Sequence, residues 1–311
     1  MSTQWVIAET ASLAAELIGA ARSLASGTLT AFVGGDETAA KSLIEQGADS
    51  AFALPLEPGA MWEDYAGTLV EKAGTEPPSL ILVGATKRGR GLAAFLAAKL
   101  DVPCITDGTK IKVDGRVTAE RMVLGGLAMK TVSTDARTVV ITISKGVYAA
   151  LPADAGRSGS VGVLAAGPGP VKVTGRRLKE TSHVDLGAAA RVVGVGRGFD
   201  TQADLVLAED LAKAMGAAMA CSRPIADFFQ WMPEETYIGI SGQVIKPDIY
   251  VAVGISGQAQ HVFGVRDAKV IVGINKDENA PIHQLADYSF VGDLKEVLPV
   301  LTAAFSKASH S

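Results

Sequence analysis

The chain has 311 residues, enough for two domains at roughly 100 to 200 residues each. Apolar residues make up 48% and aromatics only 5%, with 34 glycines, a balance that suits helices packed on parallel sheets better than an aromatic-rich β-sandwich. A net charge of −4 provides no basic field for a polyanion, which argues against nucleic-acid binding, and no apolar run approaches the roughly 20 residues of a membrane helix. Cys104 and Cys221 lie far apart with no CxxC spacing, so neither a disulfide framework nor a metal cluster is expected, and a reducing compartment fits. The opening Met-Ser-Thr-Gln-Trp passes straight into a strand pattern, which predicts no secretory leader and a cytoplasmic protein.

In chain order the pattern predicts a strand at residues 5–8, a helix at 13–24, a strand at 29–33 and a helix at about 36–46. It continues with a strand at 51–54, a helix near 65–72, a strand at 80–83 and an Ala/Leu-rich helix at 91–100. Repeated β-α order of this kind predicts a parallel sheet. The texture then changes. Asp114-Gly115 between short alternating runs signals a hairpin, so antiparallel strands are expected to close the edge of this domain. A β-branched strand at 138–143 and a last strand at 171–174 complete it, and the polar run 176–185 reads as an interdomain linker. The first domain thus spans residues 1–185 and the second 186–311.

A second β-α series begins at Arg191. It has a helix at about 203–215 and strands near 217–221, 249–253, 270–274 and 289–291. A helix is expected from Gln258 and a closing one from Asp293, whose spacing to Glu296 suits a capping box. The fold class is α/β, with a mainly parallel sheet flanked by helices in each domain and a Rossmann-like second domain.

Within this series the pentapeptide Gly-Ile-Ser-Gly-Gln occurs twice, at 239–243 and 254–258, the second copy running into Ala259-Gln260-His261. The second copy sits at the carboxyl end of the strand at 249–253. In an open parallel sheet that edge binds ligands, and glycines there allow backbone N–H groups to approach a phosphate. A nucleotide cofactor is the ligand this arrangement suits.

Other segments carry two readings each. Gly-Val-Gly-Arg-Gly at 194–198 follows an apolar strand, but without the spaced GxGxxG fingerprint it is either a cofactor contact, with Arg197 pairing to a phosphate, or a plain tight turn. Arg223 in Ser222-Arg223-Pro224 either faces the crevice or makes a surface salt bridge, and Cys221 reads as a small buried hydrophobe. His261, beside Ser256 and Gln260, suits contact with a polar heteroaromatic ligand. No second histidine stands at metal spacing, His283 and His310 reading as a loop and a tail. The run Thr86-Lys-Arg-Gly-Arg-Gly91 follows the strand at 80–83 and opens a helix, a potential anion site, but it lacks the ending of a P-loop, so basic residues on a loop or subunit surface are its better account. No nucleophile elbow, catalytic triad order or paired carboxylates appear, leaving hydrolysis and acyl transfer without residues.

These motifs carry a resemblance. The run 248–264, Asp-Ile-Tyr-Val-Ala-Val-Gly-Ile-Ser-Gly-Gln-Ala-Gln-His-Val-Phe-Gly, resembles the signature of electron-transfer flavoprotein alpha subunits, here of the bacterial FixB-like branch. Val-Ile-Val-Gly-Ile-Asn-Lys-Asp at 270–277 and Ala-Pro-Ile-His-Gln-Leu-Ala-Asp-Tyr at 280–288 extend it, with Gly-Arg-Gly at 196–198, Cys-Ser-Arg-Pro at 221–224 and Val-Gly-Asp-Leu at 291–294.

The resemblance implies one FAD in the C-terminal domain and a heterodimer with an electron-transfer flavoprotein beta subunit that itself carries AMP or a second FAD. It implies an N-terminal nucleotide-hydrolase-like domain that pairs the subunits. It places Arg197, Ser222 and Arg223 among the flavin-domain contacts, with Arg223 near the isoalloxazine. Gly239, Ile240, Ser241 and Gly242 form a loop whose Ser241 hydroxyl faces the flavin N5. Ser256, Gly257, Gln258, Ala259, Gln260 and His261 wrap the cofactor, with His261 near the pyrimidine carbonyl. Asn275, Asp293 and Leu294 hold the adenosine half. Many members have Gln-Thr at the place of Ile240-Ser241, so here the hydroxyl is kept and the amide is not. Charge and hydrogen-bond donors at the N1/O2 edge, from Arg223 and His261, favour the negative charge that reduction brings. The implied role is an electron carrier between flavin dehydrogenases, of acyl-CoA dehydrogenase type, and a quinone oxidoreductase or other acceptor, with no membrane insertion. An electron-bifurcating flavoprotein oxidising NADH and a non-redox nucleotide-binding regulatory module stand as alternatives.

Overall fold

In the computed structural model, residues 2–56, 60–124, 128–167, 169, 171, 173–175 and 185–308 are described. The chain divides into two units, Met1–Val123 with Met129–Arg177, and Leu124–Ala128 with Leu178–Ser311.

In the first unit the β-branched and small apolar runs become strands β1 (Ser2–Ala8), β2 (Gly27–Gly34), β3 (Ser50–Leu54) and β4 (Leu80–Gly84). Helices α1 (Ala11–Leu24), α2 (Glu37–Glu45), α3 (Tyr65–Thr75) and α4 (Lys87–Leu100) alternate with them. The chain continues through β5 (Cys104–Ile105), β6 (Gly108–Asp114), β7 (Arg116–Val123), β8 (Ala128–Thr134), β9 (Val139–Ile143) and β10 (Ser160–Val163). Seven strands pair in the order β10-β3-β2-β1-β4-β9-β5, all in parallel. Alternation along each strand feeds two cores: Val6, Ala8, Leu29 and Ala31 face one, Trp5, Ile7 and Phe32 the other. A sheet covered on both faces explains the nearly continuous apolar strands. The helices begin where side chains accept the first free N–H groups, Asp36 from Ala39 at 3.0 Å and Thr86 from Gly89 at 2.8 Å.

Three expectations are corrected here. The helix expected at 91–100 starts one turn earlier, because Thr86 caps it and Gly89 permits close packing: a Cβ there would lie 1.9 Å from the Gly84 carbonyl oxygen. The hairpin at Gly115 (φ +66°) forms, but with β8 it makes a separate three-stranded sheet and closes no edge of the main one. Positive φ at Asp107 and Lys110 turns the chain away after the two-residue β5. The last strand of the main sheet is β10, whereas residues 171 and 173–175 form none. Gly162, which disguises β10 in the sequence, lies flat on Phe52, whose ring a Cβ would meet at 3.0 Å. Most of the expected linker, residues 176–184, lies outside the described residues.

The second unit has strands β11 (Arg191–Val195), β12 (Ala218–Ser222), β13 (Tyr237–Ile238), β14 (Ile249–Val253), β15 (Val270–Asn275) and β16 (Tyr288–Val291). Its helices are α5 (Leu205–Met215), α6 (Ala259–Val262), α7 (Ile282–Leu285) and α8 (Leu294–Ala308), with a π-helical turn at Pro224–Phe228. The sheet runs β13-β12-β11-β14-β15-β16, all parallel. Counted from its own first strand this is the order 3-2-1-4-5-6 of dinucleotide-binding sheets. Val193, Val195, Val251 and Val253 pack with α5 and α8 on one face, while Val192, Tyr250 and Ala252 pack on the other. Burying a side chain of this size contributes about 1.5–3 kcal/mol. No helix among the described residues is long and apolar enough to cross a membrane.

Candidate functional site

Strand order reverses between β11 and β14, and at their carboxyl ends opens a crevice of about 700 Å³. The floor of that crevice is a lock of two glycines. Gly198 donates its N–H to the Gly254 carbonyl at 3.0 Å, and a Cβ on Gly198 would lie 2.6 Å from the Gly254 Cα. Gly254 (φ +61°) meets Gly198 as closely from its side. The turn at 194–198 is therefore built for strand-to-strand contact, and its Arg197 lines the crevice, exposed and without an ion pair or hydrogen bond among the described residues.

The two Gly-Ile-Ser-Gly-Gln copies follow β13 and β14 and converge at the crevice. Ile240 donates its N–H to the Gln260 carbonyl at 2.9 Å, tying one copy to the residues just after the other. The Tyr237 hydroxyl donates to the Ser241 carbonyl at 2.5 Å and braces the first copy. Gly242 packs on the Tyr237 ring, and Gly257 (φ +83°) packs on the Ile282 backbone, each leaving 2.4 Å to a would-be Cβ. Those two glycines and Ala259 do not line the crevice; the other expected site residues do. The consecutive backbone N–H groups of Gly257, Gln258, Ala259 and Gln260 have no partner among the described residues.

His261 also lines the crevice, yet its side chain is buried. Nε2 and the Tyr250 hydroxyl share a hydrogen bond at 2.8 Å, whereas Nδ1 is buried with no partner. Burial lowers the pKa to about 4, opposed by the nearby Ile238 backbone, so the ring is neutral at pH 7. Burial also pushes the Tyr250 phenol well above its ordinary range. Cys221 behind the site is buried, its thiol raised to about 11 by burial, 3.5 Å from the Thr236 hydroxyl.

Arg223 satisfies both of its readings: it lines the crevice, and its Nε donates to Asp227 at 3.0 Å. Asn275 uses its amide to fix the loops, donating to the Ile255 carbonyl at 2.9 Å and accepting from Asp277 N–H at 3.0 Å. Asp293 caps α8 by accepting from Lys295 N–H at 2.8 Å. Leu294 is buried. Asp200, Tyr237, Lys276 and Asp277 line the crevice as well and were missed in the sequence. All but Tyr237 stand in loops directly after β11 and β15, a position that marks them once the strand order is known. No group of three or more His, Cys, Asp or Glu among the described residues could hold a metal ion.

Comparison with known proteins shows the family of the chain. "Electron transfer flavoprotein domain" matches residues 4–168, and "Electron transfer flavoprotein FAD-binding domain" matches residues 185–266. The chain belongs to the electron-transfer flavoprotein alpha-subunit family. Within it the chain falls in the FixB-like branch: it is 40% identical over 313 residues to Protein FixB of Shigella flexneri and to Protein FixB of Escherichia coli (strain K12), covering 98% of this chain and 99% of each relative. A solved structure, "Crystal Structure Analysis of the Glycotransferase of kitacinnamycin", aligns at 13% identity over 99% of this chain and 94% of that one, with a TM-score of 0.31.

The crevice residues fit a flavin dinucleotide. The unpartnered N–H groups of Gln258 and Gln260, which line the crevice, and the unpaired Arg197 suit a pyrophosphate. The orphaned Nδ1 of His261 and the hydroxyls of Ser222, Ser241 and Ser256 suit the polar edge of a heteroaromatic ring.

Proposed function

We propose that this chain is the alpha subunit of a heterodimeric electron-transfer flavoprotein working in the cytoplasm. Its C-terminal domain, residues 186–311, binds one FAD, and its N-terminal domain pairs with the beta subunit, which carries AMP or a second FAD. Electrons arrive from flavin dehydrogenases of acyl-CoA dehydrogenase type and leave to a quinone oxidoreductase or another acceptor. The observation that carries this reading is the convergence of both Gly-Ile-Ser-Gly-Gln copies on the switch-point crevice in a chain of this family.

When bound, FAD supplies reversible electron uptake and release. The chain's residues bind, orient and tune. Arg197 and the N–H groups of Gln258 and Gln260 take the pyrophosphate. Ser222 and Arg223 meet the isoalloxazine, Ser241 offers its hydroxyl toward N5, and His261 offers its neutral ring toward the pyrimidine carbonyl. Asn275, Asp293 and Leu294 frame the adenosine half, Asn275 by holding the loops in place. Arg223 places positive charge where reduction adds negative charge, which raises the potential.

The test is to purify the chain with its beta subunit, record the absorbance spectrum and flavin content, and follow electron relay from a reduced acyl-CoA dehydrogenase to a dye acceptor. A yellow complex that relays electrons supports the reading, and flavin per heterodimer assigns AMP or FAD to the partner. A colourless complex loaded with a plain nucleotide would overturn it.

A further inference from the structure

Tyr250 lies within β14, fully buried, opposite Val192 on β11. Its side chain leans along the sheet so that the hydroxyl covers Gly194, where a Cβ would fall 2.1 Å from the phenolic oxygen. Gly194, the first glycine of the turn at 194–198, is thus a clearance for this hydroxyl. Tyr250 belongs to a buried apolar cluster with Val192, Ala220, Ile238, Ala252 and Ile255. Among the described residues its one hydrogen-bond partner is His261 Nε2.

A buried phenol with a single nitrogen partner leaves two arrangements. If Nε2–H donated to the phenolic oxygen, the phenol's own proton would be buried among apolar groups without an acceptor, a costly state. If the phenol donates to Nε2, that proton is satisfied, and the one proton of the neutral imidazole sits on Nδ1. We propose that Tyr250 is a positioning residue that donates to Nε2 and fixes His261 as the Nδ1–H tautomer, so that the crevice is offered an uncharged hydrogen-bond donor for a ligand carbonyl. The burial-lowered pKa of His261 agrees with an uncharged ring. The carbonyl clause rests on the FAD reading above; the tautomer clause does not.

The test uses the full chain with ¹⁵N-labelled histidine, His261 being assigned through a His261→Gln variant. The ring nitrogens are read by NMR in the free chain and after addition of FAD. A protonated Nδ1 and bare Nε2 in the wild type, with a shift toward Nε2–H in Tyr250→Phe, bear the proposal out. A protonated Nε2 in the wild type, or ring nitrogens unmoved in Tyr250→Phe, would overturn it. Should Tyr250→Phe not fold, the wild-type spectrum alone decides the tautomer. Bound FAD should move the Nδ1–H signal; bound FAD that leaves it in place removes the carbonyl clause. Failure of FAD to bind would count against the carrier reading while the tautomer is still read.

Discussion

The Ile240 N–H and the Gln260 carbonyl, 2.9 Å apart, join the loop after β13 to α6, the short helix after β14. Gly239 makes that bond possible: at φ +145° a Cβ would lie 2.7 Å from the same carbonyl oxygen. Gly239→Ala is therefore expected to part the loop from the helix, costing about 1–3 kcal/mol of stability and weakening flavin binding about tenfold or more. Denaturant unfolding and flavin titration of the purified complex check both.

Arg197 and Arg223 should separate in their effects. Arg197 has no partner to compensate its loss, so Arg197→Ala should weaken FAD about tenfold, the scale of one charge-assisted contact, with no change in thermal midpoint. Arg223 is held by Asp227 on the surface, a pair that contributes little to stability. Arg223→Ala should lower the flavin potential, and Asp227→Ala should leave stability unchanged. Potentiometry and calorimetry on the three variants distinguish them.

His261 predicts an acid limb of stability. Its folded pKa of about 4 lies below the ordinary 6.5, so in that window the unfolded chain takes up a proton that the folded ring refuses. The contribution is fully present above about pH 6.5 and is lost progressively as pH falls toward about 4. Unfolding curves across this range should show a shallower slope for His261→Gln than for the wild type. Equal slopes would mean that the ring is charged or exposed in the folded chain.

The two thiols should differ sharply in reactivity. Cys104 is exposed, and Cys221 is buried with a thiol pushed up to about 11. A thiol reagent at neutral pH should label Cys104 alone, and Cys221 only on unfolding, as peptide mapping would show.

The strands were legible because residues 249–253 are apolar without interruption and residues 139–143 are β-branched throughout, and the family was legible because the second Gly-Ile-Ser-Gly-Gln copy extends into a long specific motif. Strand order was not, since parallel pairing joins segments far apart in the chain; Gly162 and the two-residue β13 carry no local strand pattern. The same holds at the site. Tyr250 reads as one more apolar strand residue, and only register with Val192 and the space over Gly194 reveal that its hydroxyl serves His261. Gly242 and Gly257 read as ligand glycines but answer to Tyr237 and Ile282.

The Gly198–Gly254 lock sets the width of the crevice from within the protein. Backbone presses on backbone there, so the two halves of the sheet cannot close further on a small ligand or spread for a large one without breaking the contact. The cavity is cut before anything enters it. Binding then has little chain ordering to oppose it, and the heat-capacity change on loading should reflect the buried ligand surface alone.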